Sequence, residues 1–490
     1  MPELISSNLK DNENRLYEKF AQKSDLIIRY FKIETLNNIT AFIAFISCLS
    51  NGDKINSYIL HPLLRKDFSI QQKATDSNRK APDIIVQSGL LSPTVTLTTD
   101  LNEACNKLLA GDCVLFIEDC PEAVINSIGG WEQRAITDPI SDVEIRGARD
   151  GFIESVKTNM VMIRRRIRDI NLKFESYSIG TRTQTEVVVS YIEGIVDAKI
   201  LEELKNRLSK IDTDSILESG YLEEFLEDAK FSIFPQILSI ERPDNAAALL
   251  LEGRIIILTD NTPFALVVPS YFWDSIQAPG DYYTRFYIGS FVRIIRIFAL
   301  LLSIFLPSLY VMLVSFHHEM IPTPLAMKMA AGREGIPFPA ILEAVIMEIM
   351  FEVLREAGIR IPKPIGQAVS IVGALVIGES AVQAGIVSPI MVIVVSAAGI
   401  CSFAVPGYYV SMSLRLLRFP VLFLTSIFGN FGFIVATMAI FMHLVSLRSF
   451  GVPYFSPYVP FRAGDVAYDL IIRAPWKIMS KKKRSKTNVT

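Results

Sequence analysis

The chain of 490 residues is half apolar and has a positive mean hydropathy, yet a fifth of its residues are charged. That excludes an ordinary soluble protein and a purely embedded one alike, and fits one soluble part joined to one membrane part. A formal net charge of −2 argues against nucleic acid as a partner, and the five cysteines form no C-x-x-C pair and have no histidine at metal spacing, so they read as plain thiols in a reducing compartment.

Residues 1–24 are polar and charged, carry no signal-peptide core, and read as a flexible lead-in that leaves the following domain in the cytosol. From residue 25 short apolar runs alternate with amphipathic helices, an α/β pattern. The chain also repeats itself. Ala104 to Ile125 and Ala246 to Val267 align at a constant offset, so that Gly111 meets Gly253 and Pro121 meets Pro263. Each copy reads as helix, glycine stop, buried strand, acidic turn with proline, then a second strand. Upstream, Ile39 to Ile46 and Glu186 to Ile195 read as matching strands, and Ala198 to Ser209 as an amphipathic helix. The expected fold is an α/β soluble region of two related subdomains, 25–142 and 175–262, followed by an all-α multi-span membrane domain. A cleft between the subdomains is one expected place for a small ligand, and a plain scaffold is the other reading.

The connector, 143–174, is basic and includes Arg164, Arg165, Arg166 and Arg168 on a helix expected to begin near Gly151. It reads as a solvated, salt-bridged face, with a phosphate or anionic-lipid contact as the alternative. No Gly-rich phosphate loop, zinc motif or nucleophile–base pairing occurs in this half, so enzyme chemistry has no visible carrier and no cofactor is expected.

Residues 263–296 read as a last strand and an interfacial junction, and the membrane domain as 297–446 with four to five spans. The first span, Ile297 to Phe316, follows Arg285, Arg293 and Arg296, which place its leading end on the cytoplasmic side. Three Ile-Pro-x-Pro motifs then punctuate the chain, at 321–324, 336–339 and 361–364, and each should start or stop a helix. Between the second and third lies Ala340 to Gly358, where Glu348, Glu352, Arg355 and Glu356 share one helical face and Glu343 points the other way. The charged face either lines water or lies at the interface; Glu343 needs a partner, such as Lys328 or Arg333, or a polar cavity.

Gly366 to Gly385 follows, long enough to cross a bilayer, with its small residues spaced three or four apart in one stripe. Gly366, Ser370, Gly373 and Ala374, continued by Ile377, Gly378, Glu379 and Ala381, are the candidate pore-lining positions of an oligomer packed through that stripe. Glu343, Glu348 and Glu352, with Pro337, Pro339, Pro362 and Pro364, are candidates for coupling or gating. Ile390 to Val405 is a further span, and Phe419 to Ser446 is longer than one crossing needs, with Gly429-Asn430-Phe431-Gly432 near its middle. Four spans leave Arg415 and Arg418 outside; five put the basic end of the 447–490 tail outside. A final segment re-entrant at Gly429–Gly432 reconciles the charges.

Several of these runs resemble those of a known family. SFHHEMIPTP at 315–324, REGIPFPAILEAVIMEIMFEVLREAGIRIPKPIGQA at 333–368, GALVIGESAVQA at 373–384, LRLLRFP at 414–420 and PYFSP at 453–457 resemble the A subunit of the GerA family of spore germination receptors, as do RGARDGF at 146–152, FPQILSIERPD at 234–244 and APGDYYTR at 278–285. The resemblance implies a multi-pass protein of the endospore inner membrane, its N-terminal domain facing the spore core, working with a transporter-like B subunit and a lipoprotein C subunit to sense nutrients. It implies an oligomeric, nutrient-gated channel that releases monovalent cations, in contact with membrane lipid. Many relatives carry Gln where this chain has Glu379. A germination-amplifying channel paralogue that senses no nutrient and a solute transporter component are the alternatives.

Overall fold

The computed structural model describes residues 3–20, 25–33, 38–47, 49–64, 82, 94–127, 139, 142, 144, 146–360, 378–459 and 469–479. These fall into two compact units, one mainly of sheets (1–143, 148–226, 239–269) and one mainly of helices (144–147, 227–238, 270–490).

The sheet unit holds two five-stranded sheets. The first contains β1 (Leu26–Ile33), β2 (Ile39–Ile46), β3 (Val95–Thr98), β4 (Cys113–Ile117) and β5 (Ala123–Asn126), in the order β1-β2-β4-β5-β3. The second contains β6 (Leu172–Ile179), β7 (Thr185–Ile192), β8 (Leu238–Ile240), β9 (Ile255–Thr259) and β10 (Ala265–Val268), in the order β6-β7-β9-β10-β8. The duplication extends to the register. Ala41 faces Ile117 as Val187 faces Thr259, and Phe116 faces Ala123 as Leu258 faces Ala265. Each copy places a nine-residue helix before its buried hairpin, α2 (Leu101–Leu109) and α6 (Pro243–Leu251). Gly111 and Gly253 follow those helices at φ +94 and +88, and a Cβ would approach the carbonyl oxygens of Leu49 and Ile195, so both the backbone conformation and the close packing call for glycine. The expected α/β region of two related subdomains is therefore what the chain builds.

Two expectations in this unit need correction. The lead-in is not loose, because Leu9–Phe20 forms helix α1 and buries Leu9, Leu16 and Phe20 in the core of the first sheet. Its apolar residues are few, and only their helical spacing makes them one face. Nor is the basic connector a solvated face throughout. It forms α3 (Val156–Arg166), and Arg164 is buried with Nε and Nη2 donating to Asp25 and Nη1 to the carbonyl of Asp169. Nearby, the buried Lys173 donates to the carbonyl of Phe20 at 2.8 Å. These bonds join the first and second sheet regions through buried, paired charge at the place where a ligand cleft was expected.

After α4 (Ala198–Ser209) and α5 (Ser219–Leu226), the helical unit contains α7 (Phe286–Ser315), α8 (Thr323–Ala331), α9 (Ala340–Arg360), α10 (Pro389–Phe403) and α11 (Tyr408–Ser446). α7 starts eleven positions before the expected span, so Arg293 and Arg296 lie inside it. Both reach Asp281, at 3.0 and 2.7 Å, and Arg293 also meets Asp469, which is why two arginines survive in an apolar helix. By length and composition, α7 and α11 are long and apolar enough to cross a membrane.

α11 is two helices. Gly429, at φ 56 and ψ −134, breaks it. A Cβ on Gly432 would fall on the carbonyl oxygen of Leu424, whereas residues eight apart in a straight helix are about 12 Å apart. Ser413 near one end donates to the carbonyl of Ile233 at 2.6 Å, and His443 near the other lies 3.0 Å from Ser232 Oγ. The two arms therefore run antiparallel. Their turn lies against Phe316 at the end of α7, and Leu300 and Ile304 of α7 pack with Val410, Leu414 and Leu444 nearer the open ends.

Candidate functional site

The second proline motif opens α9 as expected. Pro337 and Pro339 precede it, and the carbonyl of Pro339 accepts from Leu342 and Glu343 as the first turn forms. Pro362 and Pro364 lie outside the described residues. α9 then presents three carboxylates to three different neighbours.

Glu343 is fully buried. Its Oε1 lies 3.1 Å from Arg333 Nη2, and its Oε2 accepts the backbone N–H of Ser388 at 2.8 Å. Ser388 is itself the N-cap of α10, its Oγ accepting from the Met391 N–H. A carboxylate at a helix N-terminus is favoured by the helix dipole as well as by the bond. Of the two bases considered from sequence, Arg333 is the partner.

Glu348 and Glu352, one turn apart, face the first arm of α11. Glu348 pairs with Arg418, both side chains being 1 % exposed. Glu352 Oε1 stands 3.5 Å from Arg415 Nε and 3.7 Å from Arg355 Nη1. Arg355 donates to Ser402 Oγ on α10 at 3.1 Å and lies over the rings of Phe351 and Phe403, 5.1 and 4.7 Å from their centroids. The Glu348–Arg355 face is therefore closed against α10 and α11, and only Glu356 and Arg360 pair at the exposed surface, at 2.7 Å. Sequence reasoning missed Arg415 and Arg418 as partners. The signal was present, since acids at i, i+4 on one helix match bases at i, i+3 on another, but nothing local says which helices meet.

The small-residue segment is described only from residue 378. Gly366, Ser370, Gly373, Ala374 and Ile377 lie outside the described residues. Residues 378–383 are helical, and Gly385 at φ +66 closes them, its N–H bonding to the carbonyl of Val382 while Ile386 bonds to that of Ala381. Glu379 is exposed and accepts from the Gln383 amide at 3.1 Å; Ala381 is half-buried and packs in the cluster of Val387, Met391 and Ala344. Unlike Glu343, Glu348 and Glu352, Glu379 has no basic partner among the described residues. No group of His, Cys, Asp or Glu among the described residues is placed to hold a metal ion.

The Bacillus/Clostridium GerA spore germination protein family matches residues 14–485. The membrane protein YfkQ of Bacillus subtilis (strain 168) is 44% identical over 478 residues, covering 98% of this chain and 91% of that protein. Spore germination protein KA of the same strain is 44% identical over 475 residues (97% and 86%), and spore germination protein GerLA of Bacillus cereus is 37% identical over 457 residues (93% and 91%). Among solved structures, the N-terminal domain of the A subunit of the Bacillus megaterium spore germinant receptor GerK3 is 34% identical, covers 56% of this chain and 98% of its own, and has a TM-score of 0.43. With a match over nearly its whole length, this chain belongs to the GerA family of spore germination proteins.

Proposed function

We propose that the chain is the A subunit of a germinant receptor in the inner membrane of the endospore, and that copies of it assemble into a nutrient-gated channel releasing monovalent cations. In this reading it works with a transporter-like B subunit and a lipoprotein C subunit. The observation that carries the channel is Glu379, a carboxylate within the apolar sequence run 366–385 that is exposed and has no basic partner among the described residues. In a bilayer such a group requires water or another polar chain beside it, and a ring of copies supplies both. The other carboxylates considered, Glu343, Glu348 and Glu352, are matched to arginines, which suits coupling and holding α9 in place better than attracting ions.

The reversal of α11 supports one orientation. Its open ends lie together, so Arg415, Arg418 and the tail leave from one end of the hairpin, and the charge conflict of a straight span disappears. Arg415, Arg418 and the tail then face the spore core.

The test is potassium efflux from vesicles containing the receptor. Glu379→Lys lowers the flux about tenfold, the effect of roughly 1.4 kcal/mol on the ion's passage, whereas Glu379→Gln leaves flux and weakens cation preference. Undiminished flux and selectivity in the lysine variant removes Glu379 from the pore. A monomer in detergent and in vesicles removes the channel.

A further inference from the structure

Between Leu226 and Ser239 the chain leaves the sheet unit and contributes Glu227–Leu238 to the helical unit. This excursion is firmly built. Phe234 is 1% exposed and packs with Phe272, Val410, Leu444 and Tyr454. The Gln236 amide closes the loop on itself, accepting from the Ala229 N–H and donating to the Ala229 carbonyl, both at 2.9 Å. Ser449 donates to the carbonyl of Gln236 at 2.7 Å.

So rigid a base makes its tip harder to explain as a packing accident. Phe231 is 102% exposed, as open as a side chain can be, and Lys230 beside it is exposed too. The hydrogen bonds of Ser232 to His443 and of Ser413 to Ile233 fix this tip at the open end of the α11 hairpin. Tyr408 and Tyr409 start the first arm there as a half-exposed edge-to-face pair, with centroids 5.6 Å apart. Along the second arm, Met438, Phe441, Met442 and Val445 are exposed and carry an apolar surface up to the same end. An aromatic tip, a tyrosine pair and a lysine at the end of apolar helices form the pattern of the membrane interface, where amphipathic rings sit among headgroups and lysine reaches phosphate.

Resting on the membrane reading above, we propose that the 230–233 tip seats in the interfacial layer of a phospholipid bilayer. The Phe231 ring lies at the level of the first acyl carbons and the Lys230 ammonium lies on lipid phosphate. The exposed apolar surface leading to it makes lipid, rather than a protein groove, the occupant.

The full-length protein carrying p-benzoylphenylalanine at position 231 is placed in vesicles of anionic or zwitterionic phospholipid and irradiated. The expected product is protein bearing one phospholipid, at least severalfold more than with the probe at buried position 234. Lys230→Glu lowers that yield on anionic vesicles and leaves it unchanged on zwitterionic ones. A crosslink to a second protein copy, or a yield no higher than at 234, overturns the proposal while the protein still floats with the vesicles. Protein that fails to float overturns the membrane reading itself, and this proposal with it. A second measurement guards against a probe effect: Phe231→Trp adds tryptophan emission that brominated lipid quenches, and unquenched emission counts against the proposal.

Discussion

The sheet unit and the helical unit bury charge in different ways. In the sheet unit Arg164 is held by Asp25 and the Asp169 carbonyl, Lys173 by the Phe20 carbonyl, Arg242 by Asp244, and Arg254 by the Pro269 carbonyl. Among the described residues, none of its buried charged atoms lacks a hydrogen bond. In the helical unit Arg418 Nε and Nη2, Arg355 Nε, Arg293 Nη2, Arg473 Nε and Glu348 Oε1 have none. An unpaired buried charged atom is costly, and more so as the surroundings become less polar. The sheet unit pairs its buried charge and leaves only neutral groups, on Asn126, Ser190 and Thr259, without a hydrogen bond among the described residues. The helical unit sets Glu348 and Glu352 against Arg355, Arg415 and Arg418, one base in excess, and so depends more on its environment.

That contrast is broken most directly at Glu348–Arg418. Arg418→Met strands a buried carboxylate and should cost about 3–5 kcal/mol, whereas Glu348→Leu with Arg418→Met should recover most of it. Thermal unfolding in detergent measures both; a single variant as stable as the wild type would mean that the pair is solvated. Asp25→Asn in the sheet unit should cost less, roughly 2 kcal/mol, because Arg164 retains the Asp169 carbonyl and a neutral acceptor. Gly429→Ala should cost roughly 1–3 kcal/mol through backbone strain, the added Cβ also meeting the Phe316 ring at 3.0 Å. If a straight helix were the true state, alanine there would stabilise.

A smaller effect concerns Glu175. Burial works against its charge, but hydrogen bonds from Lys205, Tyr191 and Tyr177 outweigh burial and hold its pKa below the ordinary 4.5. A carboxyl whose pKa is lowered by folding stabilises the protein above its unfolded value, and that stability is lost as pH falls from about 4.5 through the folded one. Glu175→Gln should cost about 1 kcal/mol at neutral pH and flatten the acid side of the stability profile. Burial and the same carboxylate push the Tyr177 hydroxyl up to about 12, so the substitution should also lower its titration in ultraviolet absorbance. The smallest effect belongs to Glu356–Arg360, exposed on the same helix as Glu348, where Glu356→Gln should change stability by less than about 0.5 kcal/mol.

Much of this was legible in the chain. Residues that share one local element follow a fixed period, so the duplicated helix–hairpin, Ala198–Ser209 as a helix, and the proline-bounded start of α9 could be read directly. The residues of Leu9–Phe20 were visible but too sparsely apolar to look like a helix that packs. Gly429 and Gly432 marked a break without giving its angle, because glycine permits many conformations and selects none.

By itself, then, the sequence determined two related sheet regions, an apolar helical part, the helix boundaries at proline, and a family. Only the tertiary structure decided which charges meet. Arg164 with Asp25, Glu343 with Arg333 and Ser388, and Glu348 with Arg418 are separated by 10 to 139 positions in the chain. Local periodicity acts over a turn or two, while a buried ion pair is set by which elements pack, and packing is a property of the whole fold.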